Sequence, residues 1–326
     1  MASDPAVVGV DVGGTKIAAA TVAGSRALGV VERPTDVSSG DAVIDGIEAA
    51  VRELSERPAA VGVGMPSQID FASGTVMSSV NIPLQGVPLR EELSRRLGVP
   101  VFVDNDANCA ALAEAEVQDV RNLVMLTLGT GVGGGIVIDG ATFRGATGLG
   151  AELGHITIHG EGPACPGNCP NRGCIEAFCS GTALERDATE LGRDKPDSRL
   201  GRAYADDQRV SGREAVAAAQ DGDPDALALL ERLGRNLGIA IAAMVNTFEP
   251  ERLAIGGGLS RAAKLFLETA RAEAAARALP KLFERVQIGL AQGGADAGVI
   301  GAGLLGAQEL ARSGDTGRAT ISEGGR

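Results

Sequence analysis

Residues 7–24, VVGVDVGGTKIAAATVAG, decide the fold: an apolar run leads into a glycine turn, and a second apolar run follows. This pattern predicts two strands joined by a Gly-Gly turn. Residues 123–140, LVMLTLGTGVGGGIVIDG, repeat the plan, and residues 253–260, LAIGGGLS, give a third strand with a glycine turn. Two related strand–turn–strand units predict two similar α/β halves that close on a shared ligand.

Apolar residues at helical spacing separate these strands and set the expected domain limits. We predict a smaller N-terminal domain from residues 1–106 plus about 298–311, and a larger domain from residues 107–297. Residues 312–326 carry no large apolar side chain except Ile321, so we predict a disordered tail there. The predicted helices lie at residues 43–54, 88–97, after residue 106, at residues 233–248 and at residues 299–310.

Composition limits the class of protein. The chain has 326 residues, 44% of them hydrophobic, which is enough for a large core and typical of two domains. A net charge of −12 disfavours nucleic acid as a partner, because phosphate backbones are bound by surplus Lys and Arg. No apolar stretch is long enough to span a membrane, and the N-terminus lacks signal-peptide features. We therefore expect a cytoplasmic protein, with cysteines that bind metal or pack in the core.

Three glycine-rich turns predict phosphate binding. Glycine lets backbone N–H groups converge on an anion, a threonine hydroxyl or a lysine adds donors, and Asp11 has the oxygen ligands that Mg²⁺ prefers. Each turn alone is more simply a tight hairpin, but three such turns, each after an apolar strand, favour phosphate binding. None matches the GxxxxGK[ST] phosphate loop. The candidate residues for ATP and Mg²⁺ are Asp11, Gly13, Gly14, Thr15, Lys16, Gly129, Thr130, Gly131, Gly257 and Gly258.

A carboxylate follows the strand at residues 99–103, in the segment VDNDAN. Asp106 falls in the first turn of the next helix, where it can accept a proton from a substrate hydroxyl during phosphoryl transfer. The alternative is simple helix capping by Asp104, Asn105 or Asp106. Capping by one of these residues leaves the others available, so the two interpretations are compatible.

Both histidines and four of the five cysteines lie between His155 and Cys179. Cys165, Cys169 and Cys174 lie on a Pro/Gly/Asn-rich loop, and with one histidine they form a Cys₃His set typical of structural zinc. An iron–sulfur cluster would need Cys179 as a fourth cysteine ligand, but we expect Cys179 to be buried in a helix. We also expect Cys109 to be a buried core residue. We place His155 and His159 on one face of a strand, so spacing leaves the choice between them open.

In combination, these segments resemble the ROK family (repressors, uncharacterised open reading frames and sugar kinases) over nearly the whole chain. The matching segments, in family order, are DVGGTK, NDAN, LGTGVGGG, the Glu152–His155 element, CPNRGCIE and IGGGLS. One departure is the spacing CPGNC with Pro170 in place of glycine, which makes Cys165 the least secure metal ligand.

The resemblance implies an actin/hexokinase-like (ribonuclease H-like) two-domain fold with an interdomain cleft. It implies that Asp106 is the catalytic base and that His155, not His159, joins the three cysteines on zinc. It also implies ATP-dependent phosphorylation of glucose and a homodimer or homotetramer. The residues it implies for sugar binding are Asn81, Asn105, Glu152, His155 and Glu176.

Several alternatives remain open within this resemblance. N-acetylglucosamine, N-acetylmannosamine or fructose would replace glucose if the pocket around residues 64–86 were differently shaped, and polyphosphate would replace ATP. A sugar-responsive repressor needs a DNA-binding module, for which we see no room before the strand at Val7. An activator ATPase with a cluster on its cysteines would need neither Glu152 nor Glu176.

Overall fold

A computed structural model of the chain describes residues 6–322, with side chains to residue 313. The fold is mixed α/β, and the chain forms two compact units. The first contains residues 6–121, 135–151 and 292–322, and the second contains residues 122–134 and 152–291. Residues 107–121, 135–151 and 292–297, which we assigned to the larger domain, belong to the first unit, because the helix after Asp106 packs on the C-terminal helix.

The described residues form strands and helices that alternate along much of the chain. The strands are β1 (Val7–Val12), β2 (Lys16–Ala23), β3 (Arg26–Pro34), β4 (Ala60–Met65), β5 (Ser67–Asp70), β6 (Thr75–Ser79), β7 (Val101–Asn105), β8 (Leu123–Leu128), β9 (Val132–Ile138), β10 (Ala141–Thr142), β11 (Arg252–Gly256) and β12 (Gln287–Leu290). The helices are α1 (Gly40–Leu54), α2 (Leu89–Leu97), α3 (Asp106–Gln118), α4 (Glu176–Cys179), α5 (Gly181–Asp194), α6 (Arg199–Asp207), α7 (Gly212–Gln220), α8 (Pro224–Phe248), α9 (Leu267–Arg277), α10 (Pro280–Phe283) and α11 (Ala297–Ser322).

The first unit is built on a five-stranded sheet in the order β3-β2-β1-β4-β7. Strands β1, β4 and β7 are parallel, and β2 and β3 extend the sheet antiparallel. Parallel strands place their carboxyl ends at one edge, so Asp11 near the end of β1 and Asn105 at the end of β7 lie at the same edge of the sheet.

The C-terminal helix α11 packs directly on β1 and β4. An added Cβ at Gly62 would lie 1.7 Å from the carbonyl oxygen of Ala302, so only glycine permits this close approach. The opposite face of the sheet is covered by α1, whose Val43, Ile47 and Val51 are fully buried. The spacing of these three residues puts them on one helical face, which explains why α1 was predictable.

The second sheet has the order β10-β9-β8-β11-β12, in which β8, β11 and β12 are parallel. The long helix α8 begins at Pro224, about nine residues before the predicted start at Leu233, since Asp223 caps it and Pro224 occupies its first turn. Helices α5, α6 and α7 were not predicted. In the described part of the chain, no helix combines the length and apolar character needed to cross a bilayer.

Two predictions of local structure were wrong. The chain at His155–His159 is not a strand: Leu153–His155 is a 3₁₀ turn, and beyond it Thr157 only makes an isolated bridge to Cys174. The predicted tail begins at residue 312, whereas α11 continues to Ser322 and residues 323–326 lie outside the described part. Once its first turns have formed, a helix propagates at one hydrogen bond per residue, so α11 can extend beyond the predicted boundary.

Candidate functional site

The first glycine turn is a closed hairpin between β1 and β2. The backbone N–H of Gly13 donates to the carbonyl of Lys16 at 2.8 Å, and the carbonyl of Gly13 accepts the Thr35 hydroxyl at 2.7 Å. Lys16 lies 2.5 Å from Glu32 in an ion pair with both side chains more than half exposed. Such an exposed pair is weak, so the ammonium group is readily available to a phosphate.

Asp11 lies near the end of β1 with its carboxylate over the first turn of α11, where an added Cβ at Gly298 would lie 2.5 Å from Oδ2. Burial, and next the negative charge of Asp106, raise the pKa of Asp11 to about 6, while Lys16 acts in the opposite direction. Two carboxylates that repel one another in a partly buried site favour the binding of a hard cation, so the residues fit Mg²⁺.

Asp106 is the first residue of α3, and the capping role falls to its neighbour Asn105. The Asn105 Oδ1 accepts the backbone N–H groups of Ala107 at 2.9 Å and Asn108 at 3.3 Å. The Asn105 Nδ2 donates to the Ser67 carbonyl at 3.3 Å. Asn105 therefore fixes the start of the helix that carries Asp106, as the capping interpretation predicted for this segment.

Sequence patterns missed the pair that supports this junction. Asp104 is buried, and its Oδ2 accepts from Nε of Arg144 at 2.6 Å. The sequence shows Asp104 at the end of an apolar strand, which indicates a buried carboxylate. Its partner Arg144 lies 40 residues away along the chain, so only the folded structure identifies the pair. Asn81, predicted to bind sugar, is exposed, with its Cβ 3.7 Å from the position of an added Cβ at Gly14.

The second and third glycine turns follow neighbouring parallel strands of the second unit. β8 and β11 pair in register, with Thr127 opposite Gly256, so the turns at Gly129–Gly131 and Gly257–Gly258 lie at the same sheet edge. Gly257 has φ +82°, and an added Cβ there would lie 2.4 Å from the carbonyl oxygen of Leu128. The third turn is therefore in backbone contact with the last residue of β8, directly before the second turn.

The predicted metal ligands come together in the second unit. One ligand atom from each of His155, Cys165, Cys169 and Cys174 lies within 4.8 Å of the other three. The Cys165 Sγ is 3.4 Å from the Nδ1 atom of His155, close to the ~3.5 Å expected between two ligands of tetrahedral zinc. The chemistry and spacing of this set fit zinc, and Cys165 is a member despite its unusual spacing in the sequence.

The structure distinguishes the two histidines. His159 Nε2 lies 2.9 Å from the Oδ1 of Asn236, whose own Nδ2 donates to a carbonyl, so this histidine nitrogen is the donor. Its ring packs edge-on against Phe178. His159 is therefore a packing residue tied to α8. Cys179 and Cys109 are buried, as predicted for core cysteines.

Two further residues predicted to bind sugar adjoin this metal-ligand set. Glu176 begins α4 two residues after Cys174, and its Oε2 accepts the backbone N–H of Val132 at 2.7 Å. Glu152 is exposed, and its carbonyl accepts the N–H of His155 at 3.1 Å. In the second unit, Glu176 thus contacts the second glycine turn, and Glu152 is joined to His155 by a backbone hydrogen bond.

Comparison with known proteins identifies the family. The ROK family model matches residues 7–309. The glucokinase of Halalkalibacterium halodurans is 38% identical over 316 residues, which are 93% of this chain and 95% of that protein. The solved ROK hexokinase of Thermus thermophilus is 37% identical with a TM-score of 0.81, over 94% of this chain and 99% of that one. A ROK glucokinase from Streptomyces griseus, solved in complex with glucose and AMPPNP, is 34% identical with a TM-score of 0.72, over 93% and 99%. The fold is the predicted actin/hexokinase-like α/β fold, and the chain belongs to the ROK family.

Proposed function

We propose that this protein is an ATP-dependent glucokinase, which transfers the γ-phosphoryl group of ATP to the 6-hydroxyl of glucose. The observation that carries the proposal is the position of Asp106, the first helical residue after β7, with Asp11 at the same sheet edge. The glucokinase relatives, similar over more than nine-tenths of the chain, support glucose as the substrate and ATP as the donor.

Asp106 orients the sugar hydroxyl and accepts its proton as the phosphoryl group transfers. Its place in the first turn of α3 favours the ionised carboxylate, by about 1 kcal/mol or less, and makes it a weak base. Phosphoryl transfer tolerates a weak base, because its loose transition state requires little proton removal until late. Orientation of the hydroxyl is therefore the larger part of its contribution.

The glycine turns hold the phosphates of ATP through backbone N–H groups, and Lys16 leaves Glu32 to add a positive charge. Asp11 would hold Mg²⁺, which would neutralise negative charge on the phosphate oxygens. The residues proposed to bind the sugar hydroxyls are Asn81, Asn105, Glu152, His155 and Glu176.

His155 is proposed to link the metal-ligand set to the sugar. Its Nδ1 faces Cys165, which leaves Nε2 to hydrogen-bond a sugar hydroxyl. Zinc on Nδ1 supplies a fixed tautomer and a fixed ring angle. The three cysteines would then act on sugar affinity through one imidazole.

The test is a coupled ADP-release assay with ATP and Mg²⁺ against glucose, mannose, fructose, N-acetylglucosamine and N-acetylmannosamine. Glucose should give the highest kcat/KM. A higher value for an N-acetyl sugar would retain the mechanism and reject glucose. Failure of every sugar to release ADP would reject the kinase and favour a sugar-sensing regulator. A second assay tests the phosphoryl donor. Polyphosphate replaces ATP, and the formation of glucose 6-phosphate is measured.

We further propose that the enzyme acts in the cytoplasm, at the entry of glucose into glycolysis, as a homodimer or homotetramer. Light scattering coupled to size exclusion gives the mass directly. A monomer of 32.9 kDa at micromolar concentration would reject the oligomer.

A further inference from the structure

Val132, the residue that follows the second glycine turn, contacts two segments that carry ligands of the Cys₃His set. One segment contains His155 and the other contains Cys174. Its N–H donates to Glu176, two residues beyond Cys174. Its carbonyl oxygen lies against the backbone of Gly154, the neighbour of His155, where an added Cβ would be only 2.0 Å away. The peptide groups on both sides of Val132 therefore contact residues that lie within two positions of a candidate metal ligand.

The rest of the turn is held by the segment that continues from Glu176. The N–H of Gly181 donates to the carbonyl of Gly129 at 2.8 Å. Thr182 donates twice to the carbonyl of Thr130, from its N–H at 3.2 Å and from its hydroxyl at 2.8 Å. With the bond from Glu176, four hydrogen bonds join residues 176–182 to residues 129–132.

The carboxylate of Glu176 lies directly over this turn. An added Cβ at Gly131 would be 2.4 Å from Oε2 of Glu176, so a side chain at residue 131 would displace this carboxylate. The other oxygen, Oε1, is 3.9 Å from the Sγ of Cys165. A single side chain thus spans from the metal ligands to the glycine turn.

The connection between the metal ligands and Thr182 is short and buried. The N–H of Ala177 donates to the carbonyl of Cys174 at 3.0 Å, and Cys174, Ala177 and Cys179 have no exposed surface. Ser180 then caps α5, with its side chain accepting the N–H of Ala183. A displacement of Cys174 would therefore be transmitted to the residues that hold the turn.

We propose that Glu176 and Thr182 are positioning residues for the second glycine turn, and that the Cys₃His set thereby controls nucleotide affinity as well as sugar affinity. This inference rests on the proposed function, in which the turn binds the phosphates of ATP. A glycine-rich turn that is not held must be ordered when the nucleotide binds, and that ordering lowers affinity.

The first test is Thr182→Val in the zinc-loaded protein, with Thr189→Val as the matched control. Thr189 is on the same helix, but its hydroxyl donates to Val210 at 3.3 Å, away from the turn. Titration calorimetry without sugar gives the Kd of AMPPNP with Mg²⁺, and a second titration gives the Kd of glucose. Loss of one hydrogen bond should raise the AMPPNP Kd roughly 2- to 10-fold in Thr182→Val, with the glucose Kd unchanged. Thr189→Val should change neither constant.

The second test removes the metal. Zinc-stripped protein, freed of chelator and shown by circular dichroism to be folded, should bind AMPPNP at least about 10-fold more weakly, because several of the holding bonds relax together. Zinc should restore the affinity. If removal of zinc unfolds the protein, the Cys169→Ser variant is used in place of the zinc-stripped protein, since Cys169 is the most exposed of the three thiols.

An AMPPNP Kd that is unchanged in Thr182→Val overturns the inference by itself. An unchanged Kd in folded, metal-free protein overturns the link to the metal-ligand set. Both outcomes differ from failure of the proposed function, in which the wild-type protein would bind no AMPPNP at all.

Discussion

The guanidinium of Arg144 donates from Nε to the carboxylate of Asp104 across 2.6 Å, and about a tenth or less of either side chain is exposed. The guanidinium also lies over the ring of Phe71, 3.7 Å from its centroid. The other oxygen of Asp104 accepts the N–H of Asn105 at 2.8 Å and the side-chain amide of Asn108 at 2.9 Å. This ion pair therefore fixes the junction of β7 and α3 from which Asp106 projects.

Arg144→Met should strongly destabilise the protein, because it leaves the Asp104 carboxylate buried without a counter-charge. We expect a loss of about 3–5 kcal/mol in the free energy of unfolding, measured by urea denaturation. The matched control is Arg95→Met, which breaks an exposed pair with Glu92 and should cost no more than about 1 kcal/mol. Equal losses in the two variants would contradict the prediction.

Asp106→Asn should lower kcat by roughly 10²–10⁴ while glucose still binds. The asparagine oxygen can still accept the N–H of Ala107, as the Oδ1 of Asp106 does at 2.9 Å, so the helix start is preserved. Steady-state kinetics and a glucose titration measure the two effects separately. Asp36→Asn, in an exposed turn, is the control and should leave kcat unchanged. Near-normal turnover of Asp106→Asn would remove this residue from the catalytic role.

Asp11→Asn should stabilise the protein in a pH-dependent way. The pKa of Asp11 is about 6 in the folded protein against an ordinary value of 3.8, mainly because of burial. Between these values the folded state binds more protons than the unfolded state, so wild-type stability falls as the pH rises from 4 to 6. Asparagine does not ionise, so the variant should gain up to about 3 kcal/mol relative to wild type above pH 6. A difference that does not vary between pH 4.5 and 7.5 would refute this account.

Cys169→Ser should release zinc and weaken glucose binding through His155. Metal content by mass spectrometry and the glucose Kd by calorimetry are the measurements. Cys179→Ala is the matched control, because Cys179 is buried in α4 and lies outside the ligand set, and it should keep one zinc per chain. Loss of metal from Cys179→Ala would instead support a cluster with four cysteine ligands. Loss of zinc with an unchanged glucose Kd would show that the metal does not act on the sugar.

The two histidines should behave differently on the same substitution. His155→Asn removes a ligand atom that lies 3.4 Å from the Sγ of Cys165, and the protein should lose zinc. His159→Asn removes only the contact with Asn236 and the packing against Phe178, so zinc should be retained at lower stability. Retention of zinc in His155→Asn would contradict the assigned ligand set.

Local patterns predicted those elements whose structure depends on neighbours along the chain. The β1–β2 hairpin, the start of α3 at Asp106 and the core face of α1 follow from alternation, capping and helical spacing. The prediction of a strand at His155–His159 was wrong. His155 lies with the three cysteines of the candidate metal-ligand set, and His159 packs against Phe178 and contacts Asn236 of α8. Helices α5–α7 were missed, and most of the residues that they bury are alanine and glycine rather than large apolar residues.

The sequence by itself identified the family, the three glycine turns and the cysteines of the candidate metal-ligand set, because each depends on residue type and short spacing. Only the tertiary structure decided which distant residues hydrogen-bond at these sites. The pairs are Arg144 with Asp104, Glu176 with Val132 and Thr182 with Thr130. These partners are separated by 40 to 52 residues, and no local periodicity records such a contact. They meet because folding packs segments that are distant in the chain against one another, and buried charges and backbone groups must find partners there.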